Sequence, residues 1–108
     1  MYTRNIMIKL NPNPFSVSEF TEILENQIVP LLRRQKGFQD EISFIAPERN
    51  EAVTISFWDK KENAEAYQRE KYPEVLKALA NVVEGTPRVD TFEVATSTLR
   101  RITASAQV

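Results

Sequence analysis

The side chains that most often do chemistry near neutral pH are missing from this sequence. Its 108 residues include no histidine and no cysteine. Without cysteine there is no disulfide, no thiolate nucleophile and no sulfur ligand, and without histidine the commonest general base and metal ligand is missing. Proton transfer is left to a perturbed Asp, Glu, Lys or Tyr, or to the substrate itself. We therefore predict no metal site and no bound cofactor.

Four side chains could contact a small ligand. Trp58 could stack on a planar substrate, or simply bury its ring at the sheet edge or a subunit contact. Tyr67 and Tyr72 could donate phenolic hydrogen bonds to a carbonyl or oxyanion, or only pack their rings at a helix break. Asn5 could donate to an oxyanion, or contact water or a second subunit. We predict these four as substrate-binding candidates and leave the catalytic residues unassigned.

The sequence argues against nucleotide, nucleic-acid and membrane partners. Gly37 and Gly85 are the two glycines, and each follows a predicted helix instead of forming a phosphate-binding loop. The formal net charge is -1, so no overall positive field attracts phosphate backbones or anionic lipids. No apolar run predicts a membrane span or a signal peptide, and we expect a cytoplasmic protein.

Hydrophobic periodicity predicts the elements that must position these residues. Alternating apolar residues predict strands over 2–10, 38–46, 52–58 and 86–97. Apolar spacings of three and four predict a helix from Ser16 to about residue 36 and another from Asp59 to about residue 84. Pro30 predicts a kink or a restart in the first helix, and Tyr72-Pro73 predicts a break in the second.

This order of elements predicts an α+β domain with the ferredoxin-like β-α-β-β-α-β arrangement, over residues 1–97. Right-handed crossovers give one antiparallel sheet with both helices on a single face, and a cleft between sheet and helices. We expect the tail, 98–108, to be loose or to contact a partner subunit. We expect a second copy of the chain to cover the face that the helices leave open. The residues predicted on that open face are Asn5, Met7, Ser43, Ile45, Thr54, Ser56, Trp58 and Glu93.

Three segments resemble the antibiotic biosynthesis monooxygenase-like family of dimeric α/β barrels. They are 31–38 (LLRRQKGF), 58–67 (WDKKENAEAY) and 72–76 (YPEVL). In element order the resemblance extends from residue 1 to about residue 97. It implies a homodimer whose two sheets pack together. It also implies a pocket in each subunit between sheet and helices, near Trp58 and the second helix.

The family resemblance implies three kinds of function. Members include quinol oxygenases that need neither metal nor flavin, haem-degrading enzymes, and proteins with no assigned activity. Haem-degrading members use an Asn of the first strand, and a Trp and a His of the second helix. Asn5 matches the first of these, but Tyr67 and Lys77 stand where the Trp and His would be, so haem binding or degradation is the least supported of the three.

Two hypotheses of different classes remain. The first is a cofactor-independent, monooxygenase-like enzyme acting on a small phenol or quinol, in which Trp58 stacks, Tyr67 or Tyr72 orients and Asn5 donates to the oxyanion. The second is a non-catalytic or stress-associated dimeric barrel that holds a small apolar ligand in the same pocket. The sequence does not decide whether the protein is an enzyme.

Overall fold

The computed structural model describes residues 1–104. Within them the chain alternates strands and helices much as its periodicity predicts. The elements are β1 (Tyr2–Lys9), α1 (Ser16–Ile23), a π-helical segment (Leu24–Ile28), α2 (Val29–Arg33), β2 (Phe38–Ala46), a 3-10 turn (Pro47–Arg49), β3 (Glu51–Trp58), α3 (Lys61–Glu70), α4 (Tyr72–Leu79) and β4 (Arg88–Glu93).

The four strands form one antiparallel sheet in the order β2-β3-β1-β4. Long central strands rich in β-branched residues lie at its middle, and the two crossovers between β1 and β2 and between β3 and β4 contain the helices. Ile6, Ile8 and Leu10 of the β1 side pack into one buried cluster with residues of every helix. The predicted ferredoxin-like α+β fold, with helices on a single face, is confirmed.

Both predicted helix breaks are confirmed. The first helix passes through the π-helical segment Leu24–Ile28 and restarts as α2 with Pro30 in its first turn, because proline cannot donate to the preceding turn. The second helix stops at Glu70 and restarts at Tyr72, ahead of Pro73. The two breaks therefore divide each predicted helix into shorter pieces.

The face assignment of several strand residues is wrong. In β1 the prediction holds, and Asn5 and Met7 lie on the open face. Residues directly opposite one another in a sheet point to the same side, and Ser56 lies opposite both Arg4 and Glu41. The same pairing turns the following residues towards the helices, not away from them: Ser43, Ile45, Thr54, Ser56, Trp58 and Glu93.

The open face is therefore mainly apolar, although Asn5, Asp40, Arg88 and Asp90 also lie on it. Large side chains remain exposed on it, including Phe44 at 52% and Phe92 at 56% of their surface. Its apolar members are Met7, Ile42, Phe44, Val53, Ile55, Phe57 and Phe92. The error has a simple cause: the strand β3 has apolar residues on its open face and small polar residues on its helix face.

The described part of the tail folds back over the edge of the open face. Arg101 Nη1 lies 3.2 Å from Asp40 Oδ1 on β2, and Ile102 is buried at 3% exposure. Ile102 lines a surface cleft with Ile42 and Phe57. The predicted tail also includes 105–108, which lie outside the described residues. No helix within residues 1–104 is long and apolar enough to cross a membrane.

Candidate functional site

A cavity lies between the sheet and the helices, as predicted. Its volume is ≈ 20 Å³, which is room for about one water molecule. The apolar wall consists of Ile6, Ile8, Phe20, Leu24, Ile28, Leu32, Val75 and Leu79. The polar lining consists of Arg4, Glu41, Thr54, Ser56, Tyr67 and Tyr72.

Arg4 is the most unusual residue of this cavity. It lies on β1 two residues before Ile6, so its side chain points to the same side of the sheet as Ile6 and Ile8, towards the helices. Arg4 is 1% exposed. Its guanidinium carbon is 5.0 Å from the ring centre of Tyr67 and 4.6 Å from that of Tyr72. Nη2 donates a hydrogen bond to Oε1 of Gln68 on α3. Burial lowers the pKa of Arg4, and the neighbouring tyrosines oppose that shift.

Three polar atoms at this site have no hydrogen-bond partner. They are Nε and Nη1 of Arg4 and the hydroxyl oxygen of Tyr72. They are also all the buried side-chain nitrogen and oxygen atoms without a partner in the part of the chain that the structure describes. Buried polar groups are almost always hydrogen-bonded, and leaving one unpaired costs about 1–3 kcal/mol. Their grouping in one cavity therefore requires an explanation.

The tyrosines form an aromatic layer with Trp58. The ring centres of Trp58 and Tyr67 are 5.1 Å apart, and those of Tyr67 and Tyr72 are 6.3 Å apart. Burial raises the pKa of Tyr67 to about 12 against the opposing charge of Arg4, and burial also raises the pKa of Tyr72. Both phenols are therefore neutral near pH 7 and can donate hydrogen bonds.

Glu41 brings a carboxylate to the same cavity. It lies on the helix face of β2, half-buried, and accepts a hydrogen bond from the Ser43 hydroxyl. Burial raises its pKa, while that hydrogen bond opposes the shift. Arg4 and Glu41 both lie opposite Ser56, which puts their Cα atoms two strand spacings, about 10 Å, apart. A cation and a potential base therefore face the same space from neighbouring positions.

The raised pKa of Glu41 makes a prediction about stability. Because the folded state favours the protonated carboxyl, the stabilisation is complete below the ordinary value of 4.5 and is lost as the pH rises through the higher folded pKa. Relative to Glu41→Gln, the wild-type unfolding free energy should therefore fall as the pH rises above the ordinary value of 4.5. Urea denaturation at several pH values measures this. Glu48→Gln, in the exposed hairpin turn, is the control, and a difference that is flat or rises with pH would contradict the assignment.

The fold and this cavity can be compared with known structures. SnoaB, a cofactor-independent oxygenase from Streptomyces nogalater, is 16% identical over 90% of this chain and 95% of its own, with a TM-score of 0.73. The ActVA-Orf6 monooxygenase of Streptomyces coelicolor, solved with nanaomycin D, is 13% identical over 91% of this chain and 90% of its own, with a TM-score of 0.75. An antibiotic biosynthesis monooxygenase is 10% identical over 87% of this chain and 98% of its own, with a TM-score of 0.63.

The chain has the fold of the antibiotic biosynthesis monooxygenases. The resemblance predicted from three sequence segments is thereby confirmed for the fold. No protein-family model matches the chain, and no curated protein is detectably similar to it in sequence. Fold alone does not assign a reaction, so the function has to be argued from the cavity.

The structure brings two of the four predicted candidates to the cavity of this monooxygenase fold. Tyr67 and Tyr72 line it. Trp58 is fully buried behind Tyr67, where its Nε1 donates to Ser56 Oγ at 2.9 Å. Asn5 lies on the opposite face of the sheet, where its Oδ1 accepts a hydrogen bond from Thr3. Lys77 is exposed on α4 and does not line the cavity.

Sequence reasoning missed Arg4 and Glu41. The alternation of β1 could have located Arg4. Ile6 and Ile8 were correctly predicted to face the helices, and Arg4, two residues before Ile6, must point to the same side. Within residues 1–104 no group of three or more acidic residues is arranged to hold a metal ion. The polar chemistry that the cavity offers is therefore a fixed cation, two neutral phenols and a carboxyl of raised pKa.

Proposed function

We propose that this protein is a cofactor-independent oxygenase that acts on a small phenol or quinol. The observation that carries the proposal is the buried guanidinium of Arg4, with two unpartnered nitrogens, in an aromatic-walled cavity that also contains Glu41. The fold shared with an oxygenase and a monooxygenase supports the same class of reaction. The family includes other activities, so the chemistry below is argued from this chain's own residues.

Three side chains, Glu41, Arg4 and Tyr72, act on the substrate in the proposed reaction. Glu41 accepts the phenolic proton, which its raised pKa favours. Arg4 and the Tyr72 hydroxyl donate to the resulting oxyanion, and the apolar wall holds the ring away from water. The electron-rich phenolate then reacts with dioxygen: a phenol with a free para carbon gains one oxygen atom as a quinone carbonyl, and the second oxygen leaves as water. The substrate supplies all the electrons.

Ligand entry requires the cavity to expand. The present free volume takes about one water, whereas a dry engineered cavity that binds benzene is about 150 Å³. Leu24 and Ile28, at the two ends of the π-helical segment, line the wall. π-Helical turns are rare and occur frequently at functional sites. We propose that this wall moves to admit the ring.

We also propose a homodimer formed through the open face. Exposed Met7, Phe44 and Phe92 give that face a contiguous apolar character that an isolated subunit would leave in water. A second copy applied about a two-fold axis would bury the same residues from both sides. In the proposed dimer the tail, beside Ile42 and Phe57, lies at the margin of the interface and contacts the partner subunit.

Oxygen uptake tests the proposed enzyme. With a panel of phenols and 1-naphthols whose para carbon is free, in air, the wild type should consume oxygen and form quinones faster than buffer, and Glu41→Gln should lower kcat about 10²-fold. Glu48→Gln is the control and should match the wild type. Products and rates identical to buffer, with ligands bound but not converted, would reject catalysis and favour the second hypothesis, a dimeric barrel that only binds a small ligand.

A further inference from the structure

The three unpartnered donors of the cavity indicate which chemical groups its ligand carries. Arg4 Nε, Arg4 Nη1 and the Tyr72 hydroxyl all have hydrogens to donate, so a ligand that satisfies them must present acceptors. We infer that the cavity binds its aromatic ligand as an oxyanion, with the negative oxygen on the Arg4 guanidinium. The inference deepens the proposed function, on which it rests for the aromatic ring, by naming the charge state of the substrate.

Charge balance favours an anion over a neutral acceptor. Arg4 is 1% exposed, and no ion pair among residues 1–104 includes it. A buried cation loses its hydration and regains that energy only from an opposite charge or from hydrogen bonds. Gln68 satisfies one nitrogen with a neutral oxygen. The remaining positive charge is therefore available to a ligand.

Glu41 does not neutralise Arg4. It is the acidic residue among those lining the cavity, but it lies on β2, with Ser56 of β3 between them. Its carboxyl accepts the Ser43 hydroxyl instead. The polar lining thus carries a cation and a carboxyl that are not paired with each other, and the ligand oxygen that gives its proton to Glu41 is expected to lie next to Arg4.

The position of the guanidinium is fixed before any ligand binds. Tyr67 and Tyr72 present their ring faces to it, and Gln68 of α3 holds Nη2. These contacts use the faces of the guanidinium and one nitrogen but leave Nε and Nη1. Preorganised donors bind an anion without the cost of ordering a flexible side chain. The arrangement therefore favours ligand recognition over a purely structural role.

Two pairs of ligands test the inference, and binding is measured by calorimetry without oxygen. The first pair is 4-nitrophenol, at a pH where it is ionised, and 4-nitroanisole, its neutral ether. The second is benzoate and benzamide. In at least one pair the anion should bind about tenfold tighter or more. The pair that shows the preference tells whether the oxyanion comes from a phenol or a carboxylate.

Variants show whether the preference depends on Arg4. Arg4→Met should reduce it to less than about threefold, while Arg69→Met, which removes an exposed charge from α3, should keep it. Equal binding of anion and neutral analogue in both pairs, no binding at all, or a preference that survives Arg4→Met would each overturn the inference. These ligands need not react, so loss of the anion preference is distinguishable from failure of the proposed oxidation.

Discussion

Arg4→Met is expected to lower turnover strongly while leaving the protein at least as stable as the wild type. The oxyanion would lose its charged donor, and removal of one such donor lowers kcat about 10² to 10³-fold in other enzymes. The unfolding free energy should not fall, because the buried cation that is removed has no counterion in residues 1–104. Steady-state kinetics and urea denaturation measure the two effects.

The energetic balance behind this prediction can be estimated. Methionine gives up two cation-aromatic contacts, each worth about 0.5–2 kcal/mol. It also removes the desolvation penalty of a buried charge, and apolar replacement of buried ionic groups is often neutral or stabilising by about 1–4 kcal/mol. We expect an unfolding free energy that is unchanged or about 1–3 kcal/mol higher.

A matched control separates function from charge. Arg69→Met makes the same chemical change at an exposed position of α3. It should leave kcat unchanged and should alter the unfolding free energy by no more than about 0.5 kcal/mol. If Arg4→Met instead destabilised the fold by about 2 kcal/mol or more, Arg4 would be a structural residue of the core. The cavity would then not be the ligand site proposed for it.

Phe44→Asp is expected to convert the proposed homodimer into monomers. Phe44 is 52% exposed on the apolar open face, and two-fold symmetry would place two new carboxylates in one interface. Loss of an interface anchor costs about 2–4 kcal/mol, and two such losses raise the dissociation constant about 10³-fold or more. Sedimentation velocity over a concentration series measures the change.

Phe15→Asp is the control for this experiment. Phe15 is the same residue type and is 65% exposed, but it precedes α1 and is not on the sheet. The Phe15→Asp variant should remain dimeric. A wild type that sediments as a monomer at all concentrations would contradict the dimer, as would a Phe44→Asp dimer of unchanged affinity.

The fold was predictable because its signals are local. Alternation located the strands, and Pro30 and Pro73 located the helix breaks, since each follows from the geometry of a few neighbouring residues. Gly37 and Gly85 lie in the loops after α2 and α4, with φ of 85° and 73°, a conformation that glycine adopts without strain. Such features need no knowledge of tertiary contacts.

The faces of β3 were not predictable from alternation alone. Alternation separates Val53, Ile55 and Phe57 from Thr54 and Ser56 but does not tell which set meets the helices. Hydrophobicity alone predicts that the apolar set forms the core. In this fold the helix face also lines a polar cavity, and the apolar set lies on the open face, so the usual rule for one-sided sheets gives the wrong answer.

The site was hard to predict for a related reason. An arginine is rarely buried without a partner, so its residue type argues against an interior position even though Arg4 alternates in step with Ile6 and Ile8. At Glu41 the apolar neighbour Ile42 predicts the opposite orientation of β2, with Ile42 inward and Glu41 outward. Both residues depart from the ordinary pattern of a core, and such departures are expected at functional sites.

Nuclear magnetic resonance of the Arg4 side chain tests the central claim most directly. The Nε–H signal of Arg4 can be assigned by its absence from the spectrum of Arg4→Met. When benzoate or 4-nitrophenolate binds, this signal should move downfield and exchange more slowly with water, because the free N–H gains a charged acceptor. An Arg4 signal that stays unchanged while the ligand saturates the protein would contradict the account.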